Sequence, residues 1–154
     1  MNIKPQKGMQ EYLPEAAAQR DRLMNIILST YTASGFTRIY TPAIESAENL
    51  DKSDGGDNLN LIFRIMKRGD KLAEALSKSP VDEKDLCDLG LRYDLTLPLS
   101  RYYANNRNSL PSPFKCIQID KVYRAERPQR GRLREFVQCD IDILGSDSWC
   151  CEIE

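Results

Sequence analysis

Residues 115–145 read KCIQIDKVYRAERPQRGRLREFVQCDIDILG, a stretch that predicts two β-strands joined by an arginine-rich loop. Apolar and polar residues alternate strictly over residues 135–144, which is typical of a strand with one buried face and one open face. The open face would carry Phe136, Gln138, Asp140 and Asp142. Pro128 and Gly131 indicate a turn between the two strands.

The loop between these strands is rich in cations, although the net charge of the whole chain is only −1. Its cations are Lys121, Arg124, Arg127, Arg130, Arg132 and Arg134. Guanidinium groups bind phosphate oxygens in pairs, so the loop is suited to a polyphosphate, and the ring of Phe136 offers a surface on which a base can stack. The residues alone also allow a simpler interpretation, in which the arginines only keep an exposed turn soluble.

A length of 154 residues with a hydrophobic fraction of 41% indicates one domain with a substantial core. The near-neutral charge argues against a general nucleic-acid binder, whose whole surface would be basic. The chain has no histidine, and its five cysteines show no C-x-x-C spacing, so we expect neither a metal site nor a histidine-based catalytic triad. Scattered thiols, with no signal peptide and no apolar run of membrane-spanning length, predict a soluble cytoplasmic protein.

Helical periodicity begins at Pro14, which suits the first turn of a helix, and continues through Leu23, Ile27 and Tyr31. Ser146 and Asp147 are predicted to cap a further helix. The remaining patterns are shorter, and they predict strands over residues 36–40, 59–67 and 89–94, helices over 45–50 and 96–105, and polar connections over 52–58 and 76–88.

Three blocks of this sequence resemble one known family. Residues 123–142, YRAERPQRGRLREFVQCDID, resemble motif 2 of the class II aminoacyl-tRNA synthetases, and specifically that of histidyl-tRNA synthetase. Residues 91–106, LRYDLTLPLSRYYANN, resemble the histidine-binding segment of that family, and residues 35–46, GFTRIYTPAIES, resemble its motif 1. The resemblance implies an α+β fold with a mainly antiparallel sheet flanked by helices.

The resemblance also implies a domain organisation. Residues 1–154 would form part of a class II synthetase catalytic domain, with motif 1 at about 35–46 and motif 2 at about 115–145. Motif 3 and the anticodon-binding domain are expected beyond residue 154. Because motif 3 carries a further ATP-binding arginine, we expect residues 1–154 alone to lack useful activity.

The function that the resemblance implies is that of a histidine–tRNA ligase. Histidine and ATP, with Mg²⁺, would form histidyl-adenylate, and the histidyl group would then pass to tRNA(His). The full-length protein is expected to be a homodimer with contacts in motif 1. The resemblance assigns residues as follows: Arg124 to catalysis, at the α-phosphate and the histidine carboxylate; Glu126, Arg132 and Phe136 to ATP; Asp94, Thr96 and Gln138 to the histidine ammonium group; and Asp142 to the imidazole.

Two alternatives accompany these assignments. Taken alone, Asp94 and Thr96 fit a helix-capping arrangement at least as well as a binding site. The non-catalytic regulatory subunit of ATP phosphoribosyltransferase, a protein of histidine biosynthesis, shares the synthetase fold. A regulatory protein has no need of Arg124, Glu126 and Phe136 together, and this combination favours the synthetase.

Overall fold

A β-hairpin of two ten-residue strands dominates the structure, a computed structural model that describes residues 3–52 and 59–153. The helices are α1 (Pro14–Ala33), α2 (Ala47–Lys52), α3 (Asp70–Leu76), α4 (Glu83–Leu86) and α5 (Thr96–Asn106). The strands are β1 (Thr37–Arg38), β2 (Ile44–Ser46), β3 (Arg64–Met66), β4 (Cys87–Leu91), β5 (Phe114–Tyr123) and β6 (Glu135–Leu144). Short 3₁₀ turns are formed by Leu59–Leu61, Arg107–Ser109 and Trp149–Glu152.

The strands form two three-stranded sheets. β5 and β6 pair antiparallel along their whole length, and β1 pairs with β5 in parallel to give the order β1-β5-β6. The second sheet has the order β2-β4-β3 and is antiparallel throughout. Antiparallel pairing therefore predominates and helices pack against the sheets, so the predicted α+β class is confirmed.

The core lies on both faces of β5. Ile117 and Ile119 pack with Phe36 beneath α1, whereas Phe114 packs with Leu99 of α5 on the opposite face. A strand that is covered on both faces has little freedom to move. The hairpin can therefore hold the residues at its loop end in fixed positions. Helix α1 begins at Pro14 as the sequence predicts.

Several predicted short elements were wrong in type or extent. Residues 45–50 were predicted as one helix, but the chain pairs with β4 as far as Ser46 before α2 begins. Glu45 is buried there and accepts hydrogen bonds of 2.7–3.2 Å from the guanidinium of Arg101. Tertiary pairing thus overrides the local helical pattern. The strands predicted over 36–40 and 89–94 are present but are Thr37–Arg38 and Cys87–Leu91.

The connection between β3 and β4 contains more helix than predicted. The connection predicted over residues 76–88 contains α4 and the start of β4, and α3 precedes it. Of the core strand predicted over 59–67, only Arg64–Met66 is a strand, and Met66 is 55% exposed. Ser148, rather than Ser146, caps the last 3₁₀ turn. Apart from Lys52, the polar connection predicted over 52–58 lies outside the described residues. Within the described ranges, no helix has the length and apolar character needed to cross a membrane.

Candidate functional site

The open face of the hairpin brings together most of the residues predicted for the site. In the β5–β6 register, Val122 lies opposite Phe136, Asp120 opposite Gln138, Gln118 opposite Asp140 and Cys116 opposite Asp142. These residues share one face, because side chains alternate along a strand and directly paired residues point the same way. On this face, Cys116, Gln118 and Val122 of β5 are buried, whereas Asp120 and the β6 residues are partly exposed. Val137 and Ile141 lie on the other face against α1, as the alternation of β6 predicts, whereas Cys139, predicted on that same buried face, is exposed.

Arg124 follows β5 directly and lies over this open face. Its guanidinium carbon is 5.1 Å from the centre of the Phe136 ring, and its Nε donates a 3.0 Å hydrogen bond to the carbonyl oxygen of Tyr93. Its backbone N–H donates a 2.9 Å bond to the carbonyl oxygen of Arg134. The side chain and backbone of Arg124 are therefore both held in place beside the aromatic ring.

A cavity of about 360 Å³ opens beside the Arg124–Phe136 pair. It is lined by Arg124, Glu126, Gly131, Arg132, Leu133 and Phe136. This volume lies within the range of small-molecule sites, and two guanidinium groups against one carboxylate give the wall a net positive charge. The combination of an aromatic ring, a carboxylate and a positive wall is suited to a nucleotide with several phosphates.

A second cavity, of about 250 Å³, lies on the α1 side of Phe136. The charged side chains that line it are Arg20, Asp21, Lys121 and Glu135. Because cations and anions balance there, this cavity is less suited to a triphosphate than the cavity beside Arg124.

Glu126 and Arg132 face each other across the first cavity at 3.7 Å, a long distance for an ion pair. The Arg132 side chain is 64% exposed, and so open a pair contributes little to stability, which leaves both groups able to exchange partners with a ligand. Gln129 and Arg132 exchange backbone hydrogen bonds of 2.9 and 3.3 Å around Gly131, whose φ is +78°. The predicted turn is thereby confirmed.

Two of the loop's six cations, Arg134 and Lys121, make structural contacts away from the cavity beside Arg124. The Nε of Arg134 donates a 2.9 Å hydrogen bond to the carbonyl oxygen of Glu126, and the backbone N–H of Arg134 donates a 2.7 Å bond to the carbonyl oxygen of Gly8. Lys121 points to the other face and pairs with Glu135 at 2.8 Å. The cationic cluster of the sequence is thus divided, with Arg124 and Arg132 at the cavity.

Asp94 adopts the capping arrangement that was the alternative to a binding role. Its carboxylate accepts a 3.4 Å hydrogen bond from the backbone N–H of Leu97 in the first turn of α5. Burial raises the pKa of the Asp94 carboxyl above its ordinary value, the charge of Asp140 raises it further, and Arg124 lowers it. These interactions place Asp94 beside the hairpin face. Thr96 is the exposed first residue of α5.

Gln138, Asp140 and Asp142 follow one another along the open face of β6. The Nε2 of Gln138 donates hydrogen bonds to both carboxylate oxygens of Asp140, at 3.0 and 2.8 Å. Burial raises the pKa of the Asp142 carboxyl, and the neighbouring Asp140 raises it further. The alternation of the sequence placed Asp140 on this face without suggesting a role for it. In the part of the chain that the structure describes, no group of three His, Cys, Asp or Glu side chains could hold a metal ion.

Sequence reasoning missed a buried cation behind the site. Arg92 is 2% exposed and is paired with Asp120 at 2.9 Å. It also donates hydrogen bonds to the carbonyl oxygens of Thr41, at 2.7 Å, and Lys121, at 2.8 Å. These bonds fasten the segment that carries the Tyr93 carbonyl and Asp94 to β5. The sequence offers no signal for this, since arginine is seldom so deeply buried.

A protein-family model described as histidyl-tRNA synthetase matches residues 8–154. The chain belongs to the histidyl-tRNA synthetase family. The histidine–tRNA ligase of Leifsonia xyli subsp. xyli is 46% identical to it over 155 residues, which cover 99% of this chain and 36% of the relative. The histidine–tRNA ligase of Porphyromonas gingivalis is 40% identical over 154 residues, covering 96% of this chain and 34% of the relative. The chain therefore spans about a third of the length of these synthetases.

Solved structures of the histidyl-tRNA synthetase family have the same fold. A crystal structure of histidyl-tRNA synthetase from Nostoc sp. PCC 7120 superposes with a TM-score of 0.74 at 32% identity, over 96% of this chain and 30% of that one. An ATP phosphoribosyltransferase regulatory subunit/histidyl-tRNA synthetase from Bacillus halodurans C superposes with a TM-score of 0.73 over 96% of this chain and 34% of that one. The latter is 22% identical, so its likeness shows the fold alone. The predicted class II synthetase fold is confirmed.

Proposed function

We propose that these residues belong to a cytoplasmic histidine–tRNA ligase, which activates histidine with the Mg²⁺ complex of ATP and transfers it to tRNA(His). Residues 1–154 would be the N-terminal part of its catalytic domain, including motifs 1 and 2. The observation that carries the proposal is the placement of Arg124, Glu126 and Phe136 around one cavity. These groups match the phosphates, the amino group and the ring of an adenine nucleotide.

In the activation step, a carboxylate oxygen of histidine attacks the α-phosphorus of ATP and the bond to pyrophosphate breaks. Negative charge grows on the phosphoryl oxygens, so positioned cations supply the stabilisation and no covalent nucleophile is needed. Arg124 is proposed to contact the α-phosphate and the attacking carboxylate. Its bond to the Tyr93 carbonyl would hold it ready before the substrates bind, which reduces the cost of reorganisation.

The remaining nucleotide contacts are assigned to groups that line the same cavity. The Glu126 carboxylate would accept a hydrogen bond from the adenine amino group while Phe136 stacks on the adenine ring. Arg132 would bind the outer phosphates, and its long, exposed ion pair with Glu126 would give way at little cost.

The histidine ammonium group is assigned to Asp94, Thr96 and Gln138, and the imidazole to Asp142. Burial disfavours the ionised forms of Asp94 and Asp142, and a positively charged ligand group placed among them would offset that cost. The capping bond from Leu97 engages one oxygen of Asp94, so capping and ligand binding are compatible.

We also propose a homodimer that uses the second sheet. Ile44, Met66 and Leu89 of that sheet are 50%, 55% and 39% exposed, and Tyr40, four residues before β2, is 67% exposed. A patch of large apolar side chains is typical of a surface that is covered by a partner. Sedimentation of the full-length protein tests this, because L89E should convert a dimer to monomers, whereas an unchanged mass would exclude this surface.

The regulatory subunit of ATP phosphoribosyltransferase is the competing function. If this chain had that regulatory function, we would expect the cavity beside Arg124 not to bind a nucleotide through base stacking. Titration of the chain with the Mg²⁺ complex of ATP therefore separates the two functions.

The decisive variant is F136A, which we expect to weaken nucleotide binding by about 1–3 kcal/mol because the base loses its stacking partner. The matched control is Y12A, which removes a ring that also contacts an arginine, Arg20 at 4.2 Å, but lines the cavity on the α1 side. Y12A should bind as the unchanged chain does. Loss of binding in Y12A alone, or no binding by the unchanged chain, would contradict the proposed site.

A further inference from the structure

Asp140 holds the side-chain amide of Gln138 in one orientation. The Nε2 of Gln138 lies 3.0 Å from Oδ1 and 2.8 Å from Oδ2 of Asp140. An ionised carboxylate only accepts hydrogen bonds, so the nitrogen end of the amide must face Asp140 and Oε1 must face away from it. The two residues lie two apart on the same face of β6, and the strand itself maintains this geometry.

This orientation determines what Gln138 offers to a ligand. Its Oε1 is a hydrogen-bond acceptor, and the carboxylate of Asp94, which is assigned to the same ammonium group, is an acceptor as well. An ammonium group has three N–H donors and no acceptor, so it matches such a set. If the amide were reversed, Nε2 would present its donors to the same space. An ammonium group would then lose the acceptor Oε1 and would face another hydrogen-bond donor instead.

Asp140 also acts on its neighbours through its charge. It raises the pKa of the Asp94 carboxyl and of the Asp142 carboxyl, both of which burial already raises. The repulsion among these carboxylates falls when a cation binds between them. The charge of Asp140 and its hydrogen bonds to Gln138 therefore favour the same kind of ligand group.

We propose that Asp140 is a positioning residue for the amino-acid substrate, and that it turns the Gln138 amide so that Oε1 accepts a hydrogen bond from the substrate's ammonium group. The inference rests on the proposed function, in which Gln138 contacts the ammonium group of histidine. Asp140 does not itself contact the substrate, and its positioning effect passes through Gln138.

The variant D140N tests the inference, because an asparagine amide can donate to or accept from Gln138 and no longer selects one orientation. We expect D140N to weaken histidine binding about tenfold, as is typical for losing a hydrogen bond to a charged group. Imidazolepropionate, which lacks the ammonium group, should bind D140N and the unchanged chain equally. Calorimetric titration of each protein with each ligand at millimolar concentrations gives the four affinities.

Two further variants separate positioning from other effects. E135Q removes one negative charge from the same strand, but on the opposite face, where Glu135 pairs with Lys121 at 2.8 Å, and it should leave histidine binding unchanged. Q138A removes the group through which Asp140 is proposed to act. Adding D140N to Q138A should then weaken histidine binding much less than D140N does alone, because this step removes only the charge of Asp140 and no longer its hold on the amide.

Some results would contradict the role of Asp140 alone, and one would also contradict the proposed function. Equal histidine affinity of D140N and the unchanged chain would overturn the role of Asp140 and leave the proposed function standing. An equal loss for histidine and imidazolepropionate would overturn that role too, as would a loss in the Q138A background as large as the loss that D140N causes alone. Absence of histidine binding by the unchanged chain would contradict the proposed function and the role of Asp140 with it.

Discussion

The guanidinium of Arg124 lies 5.1 Å from the centre of the Phe136 ring. The hairpin brings these residues together, because Arg124 leaves the end of β5 opposite the start of β6, where Phe136 lies across from Val122. A cation–π contact of this kind contributes about 0.5–2 kcal/mol, which is small enough for a bound base to replace. The proposed activation of histidine requires both groups on one side of the sheet.

The first prediction concerns the shape of the Arg124 side chain. R124K should weaken binding of the Mg²⁺ complex of ATP roughly tenfold or more, because lysine lacks the planar fork that binds two phosphate oxygens and has no Nε–H for the Tyr93 carbonyl. R127K, in the same loop at an exposed position, should bind as before. Equal affinities of R124K and R127K in a calorimetric titration would show that charge alone matters.

Stability measurements can test the contact between the N-terminal segment and the loop. Gly8 has a φ of +85°, and an added Cβ would lie 2.8 Å from Cγ of Arg134, whereas Gly131 has a φ of +78° with nothing within 4 Å. G131A should therefore cost about 1–2 kcal/mol for the backbone alone. G8A should cost about 1–3 kcal/mol more because of overpacking. Urea unfolding measures both, and coincident midpoints would mean that the contact has no effect.

Removing the charge of Asp142 should raise the stability of the folded chain and weaken its binding of histidine. Burial raises the pKa of this carboxyl, so its ionised form at pH 7 destabilises the folded chain. D142N should be more stable than the unchanged chain at pH 7. The gain should disappear as the pH falls below the ordinary carboxyl value of about 3.9, because the natural side chain is then protonated.

Histidine binding by D142N should weaken under the same conditions, because the imidazole loses its proposed partner. Thermal unfolding across pH values and titration with histidine measure the two effects. A variant that is less stable at pH 7, or one that binds histidine normally, would contradict this account of Asp142.

Thiol reactivity offers a test of the core. Cys116 is fully buried, and burial raises the pKa of its thiol to about 12, whereas Cys139 and Cys150 are exposed. The thiolate is the reactive form, so Cys116 should resist a disulfide reagent at pH 8 until the chain unfolds. Mass spectrometry after timed labelling should find Cys150 modified early and Cys116 unmodified. Early modification of Cys116 would indicate that β5 is not buried as described.

The last prediction concerns catalysis by residues 1–154 alone. We expect no useful histidine-dependent exchange between ATP and pyrophosphate, because Arg124 is the one arginine assigned here to the α-phosphate, and losing a charge-stabilising donor typically costs about 2.7–4 kcal/mol. The exchange of radiolabelled pyrophosphate into ATP measures this. A histidine-dependent rate well above background would contradict the expectation.

The hairpin could be predicted from the sequence because its determinants are local. The alternation along β6 reports directly which side chains face the core, and the structure has β6 at the predicted residues 135–144. The secondary structure of residues 45 and 46 could not be predicted in the same way. Their strand depends on pairing with β4 and on the buried bond between Glu45 and Arg101, and these partners are distant in sequence.

The sequence predicted which residues lie near the candidate site, but it could not predict which cations line the cavity and which make structural contacts elsewhere. Counting arginines in the loop could not show that Arg134 bonds to the loop backbone, or that Lys121 pairs on the opposite face. The buried Arg92 and the bond between Gln138 and Asp140 depend on three-dimensional geometry that spacing does not report.

The most direct test of the nucleotide site is nuclear magnetic resonance of the chain with the Mg²⁺ complex of ATP. We expect nuclear Overhauser effects between the adenine protons and the ring protons of Phe136, and their disappearance in F136L. Contacts between adenine and Tyr12 instead, or no contact with any aromatic ring at saturating nucleotide, would contradict the account.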